Sequence, residues 1–326
     1  MKNVKFLAYL FLGISLSASI VACSDDDDDV QPMTSNSNTQ NNIAEIAIAG
    51  DETDSLVVAL TQAGLVSTFE GSGNFTVFAP SNQAFADFIA ATPGVNQIAD
   101  IPNELLTNTL LYHVLNNEVK SADLSDNLYA PTLNTEAPDN ESVVLKVNTA
   151  NGVTVDNSAN VLQADIDASN GVIHLIDAVI SPRNIVELAV NDNRFDSLVV
   201  ALTQPSFTFV NTLEGNGPFT VFAPTNQAFI DLLATNASWN RISDIDQTTL
   251  SAVLQYHVVS GANVQSGALS QGQNISTLSG GSLTVDLSNG AQLITSDTTQ
   301  AAVDIIITDV QGTNGVIHAV ESVLLP

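Results

Sequence analysis

The hexapeptide Phe75–Pro80, with the sequence FTVFAP, recurs unchanged at Phe219–Pro224, 144 residues later. The pair Tyr112-His113 recurs at the same offset as Tyr256-His257. The pentapeptide Asn170–His174 (NGVIH) likewise returns as Asn314–His318. A period this long exceeds that of solenoid repeats, so it predicts two complete copies of one domain.

The repeat also sets the predicted boundaries of the two copies. Asp54–Gln62 (DSLVVALTQ) recurs at Asp196–Gln204 with an offset of 142, and Pro182 corresponds to Pro326. We therefore predict a first copy at 43–182 and a second copy at 183–326. The junction between them is short, which predicts that the copies pack against each other.

Each copy begins with helical signals and ends with strand signals. Asp54 and Asp196 suit helix N-caps, and FTVFAP is a strand, after which Ser81 or Asn82 caps a helix. A further helix is predicted over 103–115. Asn-Gly pairs at 151–152 and 289–290 are typical of hairpin turns, and strands are predicted at 172–180 and 316–325. Helices first and strands later indicate an α+β fold.

The ordered motifs FTVFAP(S/T)NQAF, YHV and NGVIH resemble the fasciclin (FAS1) domain, in both copies and over nearly all of the chain after its first 42 residues. The resemblance implies two tandem wedge-shaped β-sandwich domains with helices. It also implies a secreted or surface adhesion module whose Tyr-His pair is mainly architectural.

Charge restricts the possible partners. The 326 residues include 7 basic and 35 acidic side chains, giving a formal net charge of -28. A field of that sign repels phosphate backbones, so nucleic acid is not expected as a partner. Hydrophobic residues make up 44% of the chain, which is enough to bury a core and is not typical of a disordered protein.

The N-terminus has the pattern of an export signal. Lys2 and Lys5 precede an apolar run, which predicts a signal peptide at 1–22. The sequence Ile20–Cys23 resembles the lipobox of bacterial lipoproteins, which implies lipidation of Cys23, the only cysteine. An ordinary signal peptide and a short membrane anchor are the alternatives.

Residues 23–42 form an acidic and polar linker in this interpretation. Asp25–Asp29 are five adjacent carboxylates, and such a run is a solvated tether in the simplest interpretation. The run also resembles the surface-export signal of lipoproteins in some Gram-negative bacteria. We therefore expect a protein that is lipid-anchored to the outer membrane and faces the cell exterior.

All four histidines lie in repeated motifs, so they are the first candidates for chemistry. His113 and His257 follow leucines on an apolar helix face, and His174 and His318 stand on apolar strands. Together with Tyr112 and Tyr256 we predict them to be structural. Zinc needs three or four ligands, and each copy offers only two histidines plus carboxylates, with no HxxxH or HExxH pair. No hydrolase, phosphate-loop or dinucleotide motif occurs. We therefore expect no metal, no cofactor and no enzymatic activity.

A partner-binding position is implied by the family resemblance alone. In animal relatives an Asp-Ile pair before NGVIH is associated with integrin binding, and the matching residues are Asp165-Ile166 and Asp309-Val310. The alternative is that these aspartates bond local backbone at strand ends or turns.

The sequence thus predicts a non-enzymatic, surface-anchored adhesion or interaction protein. Its partner would be a cell-surface or matrix protein or a glycan. The alternative function is a polysaccharide-binding accessory lipoprotein of an extracellular glycan uptake system. Trp239 is the only tryptophan, so aromatic platforms for sugars are sparse.

Overall fold

The structure of the protein is a computed structural model that describes residues 40–204, 207 and 209–326. The predictions for the signal peptide, for Cys23 and for most of the linker lie outside these residues. Within the described residues, no helix has both the length and the apolar character needed to cross a membrane.

The first copy contains five helices and seven strands among its described residues. The helices are α1 (Ile43–Ala49), α2 (Asp54–Ala63), α3 (Val66–Glu70), α4 (Asn82–Ala91) and α5 (Asn103–Tyr112). The strands are β1 (Phe75–Pro80), β2 (Val114–Leu115), β3 (Leu128–Pro131), β4 (Val144–Asn148), β5 (Thr154–Val155), β6 (Ala159–Ala168) and β7 (Gly171–Ile176).

The second copy repeats this order of elements. Its helices are α6 (Ile185–Val190), α7 (Asp196–Leu202), α8 (Phe209–Leu213), α9 (Asn226–Ala234) and α10 (Gln247–Tyr256). Its strands are β8 (Phe219–Pro224), β9 (Val258–Ser260), β10 (Asn274–Ser276), β11 (Ser282–Asp286), β12 (Gln292–Ile294), β13 (Val303–Gly312) and β14 (Gly315–Val320).

The strands of each copy form one mixed sheet with the same topology. The order is β2-β1-β7-β6-β5-β4-β3 in the first copy and β9-β8-β14-β13-β12-β11-β10 in the second. Strand β1 pairs in parallel with β7, from Phe75 opposite Gly171 to Pro80 opposite Ile176. The other strand pairs of this sheet are antiparallel. The predicted α+β fold is confirmed.

Each copy has two hydrophobic clusters, one on each side of its central strands. In the first copy, Val77 and Ile173 face the helices and pack with Leu56 and Phe69. On the opposite side, Phe78 packs with Leu145 of β4. One end of the sheet therefore folds back over the other, which gives the copy a sandwich of strands covered by helices.

The motif NGVIH connects the helices of the first copy to its sheet. The Asn170 side chain accepts from Ile43 N (2.9 Å) and donates to the carbonyls of Phe69 and Gly71 (both 2.8 Å). Gly171 adopts a φ of +147°, and a Cβ there would lie 2.0 Å from the Phe75 carbonyl oxygen. Only glycine lets β7 approach β1 this closely.

Several predicted element ends were wrong. Helix α5 ends at Tyr112 and not at 115, because Val114 and Leu115 pair with β1. The final strands end at Ile176 and Val320. Asp54 and Asp196 are first residues of helices and not N-caps. Ser81, by contrast, does cap its helix, accepting a hydrogen bond from Ala84 N at 3.2 Å.

Helices α2 and α7 are capped instead by side chains from a later helix. Asn82 accepts from Ser55 N, and Asn226 accepts from Ser197 N, both at 2.8 Å. These bonds satisfy free amide groups at the two helix starts. They also join the helix that follows FTVFAP to the earlier helix of the same copy.

Candidate functional site

His113 connects three parts of the first copy. It follows the last residue of α5, and its ring Nδ1 donates to the Thr109 carbonyl at 2.7 Å, which the ending helix leaves free. Ring Nε2 accepts from Ile180 N at 3.1 Å. The His113 carbonyl in turn accepts from Phe78 N of β1 at 2.9 Å.

His257 makes the same connections in the second copy. Its Nδ1 donates to the Val253 carbonyl (2.7 Å), and its Nε2 accepts from Leu324 N (2.8 Å). Both rings are buried, and burial lowers the pKa of His113 and of His257 to about 4. In this conformation each imidazole is neutral, and neither has a nitrogen left for a substrate or an ion.

His174 and His318 connect the last strands to the loops that follow β2 and β9. His174 Nε2 donates to the Val119 carbonyl (3.0 Å), and His318 Nε2 donates to that of Val264 (2.8 Å). Burial lowers the pKa of both imidazoles. Their Nδ1 atoms accept from Asp165 N at 3.2 Å and from Asp309 N at 3.3 Å.

Those two aspartates occupy bulges in β6 and β13. Asp165 and Asp309 have φ values of +59° and +58°, and the strand register shifts beside each. The Asp165 carboxylate accepts from the amide (2.8 Å) and the hydroxyl of Ser121, and Asp309 does the same with Ser266 (2.7 Å to the amide). The bonds from Ser121 hold the pKa of Asp165 below its usual value.

The two predicted partner-binding pairs differ in accessibility. Asp165 is exposed, whereas Ile166 is half-buried against the core of the first copy. Asp309 is half-buried and Val310 has no exposed surface. The Asp165 carboxylate is thus more exposed to a partner than that of Asp309, and the binding role of both pairs stays a prediction. The serines that bond the aspartates were missed, although Ser121 and Ser266 recur at nearly the repeat offset.

Tyr112 and Tyr256 occupy equivalent buried positions with different partners. The Tyr112 hydroxyl donates to Asp156 Oδ2 (2.8 Å) and lies 3.0 Å from the Val144 carbonyl. The Tyr256 hydroxyl donates to the Ser282 carbonyl (2.7 Å) and accepts from Ser296 N (3.0 Å). Burial raises the pKa of Asp156 and of Tyr112.

The comparisons with known proteins agree with this duplicated geometry. The fasciclin domain family model matches residues 51–182 and again residues 193–326. The chain belongs to the fasciclin domain family. It consists of two FAS1 domains, each with a mixed sheet and helices.

Known proteins are similar to this chain over lengths of one or of two FAS1 domains. Transforming growth factor-beta-induced protein ig-h3 of Sus scrofa is 33% identical over 290 residues, which cover 86% of this chain and 39% of that protein. An uncharacterized protein of Synechocystis is 35% identical over 142 residues, 44% of this chain and 97% of its own length. A solved FAS1 domain pair from the insect cell adhesion molecule fasciclin I is 18% identical, with a TM-score of 0.49, and covers 87% of this chain and 96% of its own.

The junction between the two FAS1 domains is a cluster of buried charges that the sequence interpretation missed. Asp192 is fully buried and its carboxylate accepts from the Tyr129 hydroxyl and from the guanidinium of Arg194. Lys146 Nζ, on β4, lies 3.2 Å from Asp192 Oδ1, and only 3% of its side chain is exposed. Burial opposes ionisation of Asp192, but hydrogen bonds from Arg194 and Tyr129 outweigh it and hold its pKa well below the usual value.

This junction holds most of the cations in the described chain. Five lysines and arginines lie beyond residue 40, and three of them, Lys146, Arg183 and Arg194, belong to the junction. Arg183 Nε lies 3.8 Å from Asp156 Oδ2. The polar cluster adjoins apolar contacts, since Tyr129 and Val144 of the first domain pack against the core of the second.

In the part of the chain that the structure describes, no three His, Cys, Asp or Glu side chains are grouped so that they could hold a metal ion. The motif residues thus form two equivalent internal networks, one in each FAS1 domain. Their chemistry is that of hydrogen bonds between strands, helices and loops.

The buried histidines should make the protein sensitive to mild acid. Because the folded pKa of His113 and of His257 is about 4, against a usual 6.5, the unfolded chain takes up protons first as the pH falls. We expect the free energy of unfolding to decrease between pH 6.5 and 4, by up to about 3 kcal/mol per histidine. Urea unfolding at pH 7.5, 6, 5 and 4.5 measures this slope.

A double variant, His113→Phe with His257→Phe, provides the control. Its stability should change less with pH in this range, because two of the titrating groups are gone. Asp156, whose pKa is raised, acts in the opposite direction in both proteins and so cancels in the comparison. Equal slopes in the native protein and the double variant would contradict the assignment.

Proposed function

We propose that this chain is a non-enzymatic, surface-anchored adhesion or interaction protein built from two FAS1 domains. The observation that best supports this proposal is that the side chains of the repeated motifs form hydrogen bonds inside each domain. In both domains the four imidazole rings have both nitrogens bonded to backbone groups. The resemblance to fasciclin domains adds the expectation of adhesion, with a cell-surface or matrix protein or glycan as the partner.

The exposed surface beside the bulges suits such contacts. Leu162 on β6 is 58% exposed, and its equivalent Ile306 on β13 is 51% exposed. In the first domain the exposed side chain of Asp165 is three residues from Leu162. Trp239 is half-buried against the core of the second domain, which reduces the ring surface that it offers to a sugar.

Deletion and surface variants test the adhesive role. Cells that carry only residues 1–42 should attach less to matrix-coated surfaces and form less biofilm than cells with the full chain. The variant Leu162→Ser with Ile306→Ser should weaken attachment without changing the melting temperature, because both side chains are exposed. Attachment that is unchanged by the deletion on every surface tried would contradict the proposal.

We propose further that Cys23 is lipidated and that the protein faces outward from the outer membrane of a bacterium. The apolar run before Cys23 and the acidic run Asp25–Asp29 support this. Labelled palmitate should enter the native protein and not Cys23→Ser. Protease added to whole cells should digest the native protein, whereas replacing Asp25–Asp29 by serines should protect it. Protection of the native protein in intact cells would contradict outward display.

A further inference from the structure

An apolar cavity lies beneath the helices of each FAS1 domain, between the first two helices and the central strands. Its volume is about 190 Å³ in the first domain and about 210 Å³ in the second. Eight lining positions are equivalent in the two domains, among them Ala47 and Ala189, Leu56 and Leu198, and Val77 and Val221. The cavity is therefore a feature of the repeated domain and not of one copy.

The polar groups in the walls of the first cavity are already bonded. Thr53 Oγ1 donates to the Ala47 carbonyl at 2.7 Å, and both ring nitrogens of His113 have backbone partners. A buried water requires two to four polar partners, which the buried part of these walls does not offer, since the other polar side chains of the lining are exposed. An engineered cavity of about 150 Å³ with similar apolar walls stays dry and binds benzene. Both cavities here exceed that volume.

Exposed members of the lining show where each cavity reaches solvent. In the first domain these are Asp51, Glu52 and Gln163. In the second domain they include Glu214 and Val190, which is 60% exposed. Each opening thus carries at least one carboxylate, on a chain whose net charge is -28. A negatively charged ligand would be repelled at both openings.

We propose that each FAS1 domain of this chain binds one small, uncharged hydrocarbon group, either a single aromatic ring or a short alkyl chain, in this cavity. The equivalent walls of the two domains predict two sites per chain with similar affinity. The proposal concerns the interior of the helical layer. Ile166 of the predicted partner-binding pair also lines the first cavity, so the variant Leu162→Ser with Ile306→Ser, which changes exposed side chains only, separates the adhesive role from binding in the cavity.

Titration of the full chain with toluene tests the number of sites. We expect two toluene molecules to bind per native chain, one per chain in Ala47→Leu or in Ala189→Leu, and none in the double variant. Ala47 and Ala189 are buried in the walls, so leucine fills the space that toluene would take. Ile48→Ala, which changes an exposed neighbour on α1, should keep both sites and serves as the matched control.

The melting temperature shows whether a leucine variant that binds no toluene is still folded. Filling a real void adds packing contacts, so the leucine variants should melt at or above the native temperature. Saturating toluene should raise the melting temperature of the native chain and not that of the double variant. No binding to the native chain, or two molecules bound to the double variant, would overturn the proposal.

Two amphiphiles with the same alkyl chain distinguish the chemistry of the ligand. Octyl glucoside, below its micelle concentration, has an uncharged head, whereas octanoate carries a carboxylate. We expect octanoate to bind at least about tenfold more weakly, because its charge meets the carboxylates at the openings. Binding of toluene but of neither amphiphile would assign the cavities to free aromatic solutes. Equal binding of the two amphiphiles would contradict the preference for uncharged ligands.

Discussion

Replacing Asp192 by asparagine is expected to lower the free energy of unfolding by about 3–5 kcal/mol, because the buried ammonium group of Lys146 loses its counter-charge. Among the described residues, Lys146 forms a single salt bridge, and its partner is Asp192. Asparagine keeps the size of the side chain and can still accept from Tyr129. The change also removes the charged acceptor of Arg194, but that side chain is 29% exposed, so solvent can replace part of the bond. Urea unfolding at neutral pH and low salt measures the loss.

The double variant Asp192→Asn with Lys146→Met should recover the part of that loss that comes from the unpaired Lys146, and not the part that comes from Arg194. Methionine keeps the apolar stem of the lysine and removes the charge that asparagine leaves unpaired, and such exchanges of buried ion pairs are often neutral. Glu321→Gln, a change of an exposed carboxylate in the second domain, is the matched control and should leave stability unchanged. A loss below about 1 kcal/mol in Asp192→Asn would show that the pair is solvated and not buried.

The single variant Asp192→Asn should also uncouple the unfolding of the two domains. Trp239 is the only tryptophan and packs in the second domain, so its fluorescence follows that domain, whereas far-UV circular dichroism follows both. The two signals should change together in the native protein and separate in Asp192→Asn. Coincident transitions in both proteins would indicate that apolar contacts alone couple the domains.

His113→Ala is expected to cost about 2–6 kcal/mol, because it leaves the Thr109 carbonyl and the Ile180 amide buried without partners, at about 1–3 kcal/mol each. His257→Ala should have a similar cost in the second domain, where the Val253 carbonyl and the Leu324 amide lose their partners. Chemical denaturation of the two variants side by side measures both losses.

His113→Phe separates the loss of the two hydrogen bonds from the effect of the cavity that alanine leaves. Phenylalanine fills the space of the imidazole but makes neither hydrogen bond, so the stability it recovers relative to alanine reports the cavity term. Glu141→Gln, at an exposed position of the same domain, is the control. If His113→Ala were as stable as that control, the ring would not connect the helix to the segment after β7.

The sequence was sufficient to predict the architecture, because the motifs of the fold occur twice in it. FTVFAP, the Tyr-His pair and NGVIH recur in order, and they form the central strand, the end of a helix and the strand parallel to the first. The α+β class follows from the same order of elements and is confirmed. Element ends were less accurate, since the pairing of Val114 and Leu115 with β1 depends on a contact that no local pattern encodes.

The charged junction could not be predicted, because it arises where the copies differ. Lys146 pairs across its sheet with Tyr129, whereas the equivalent pair in the second domain is Thr284 with Asn274. A lysine on a strand is typically solvated, and only the position of the second domain shows that this one is buried. The one available signal was that scarce cations gather on both sides of the predicted boundary at 182.

The parallel pairing of β1 with β7, and of β8 with β14, has a consequence for how the chain folds during its synthesis. In each domain the partners in this central pairing are about a hundred residues apart, so the sheet has a high contact order and its assembly is slow. A domain emerging from a ribosome or a translocation channel cannot complete its sheet until its final strand has followed. Such a chain stays unfolded for most of its passage, which is what the export proposed above requires.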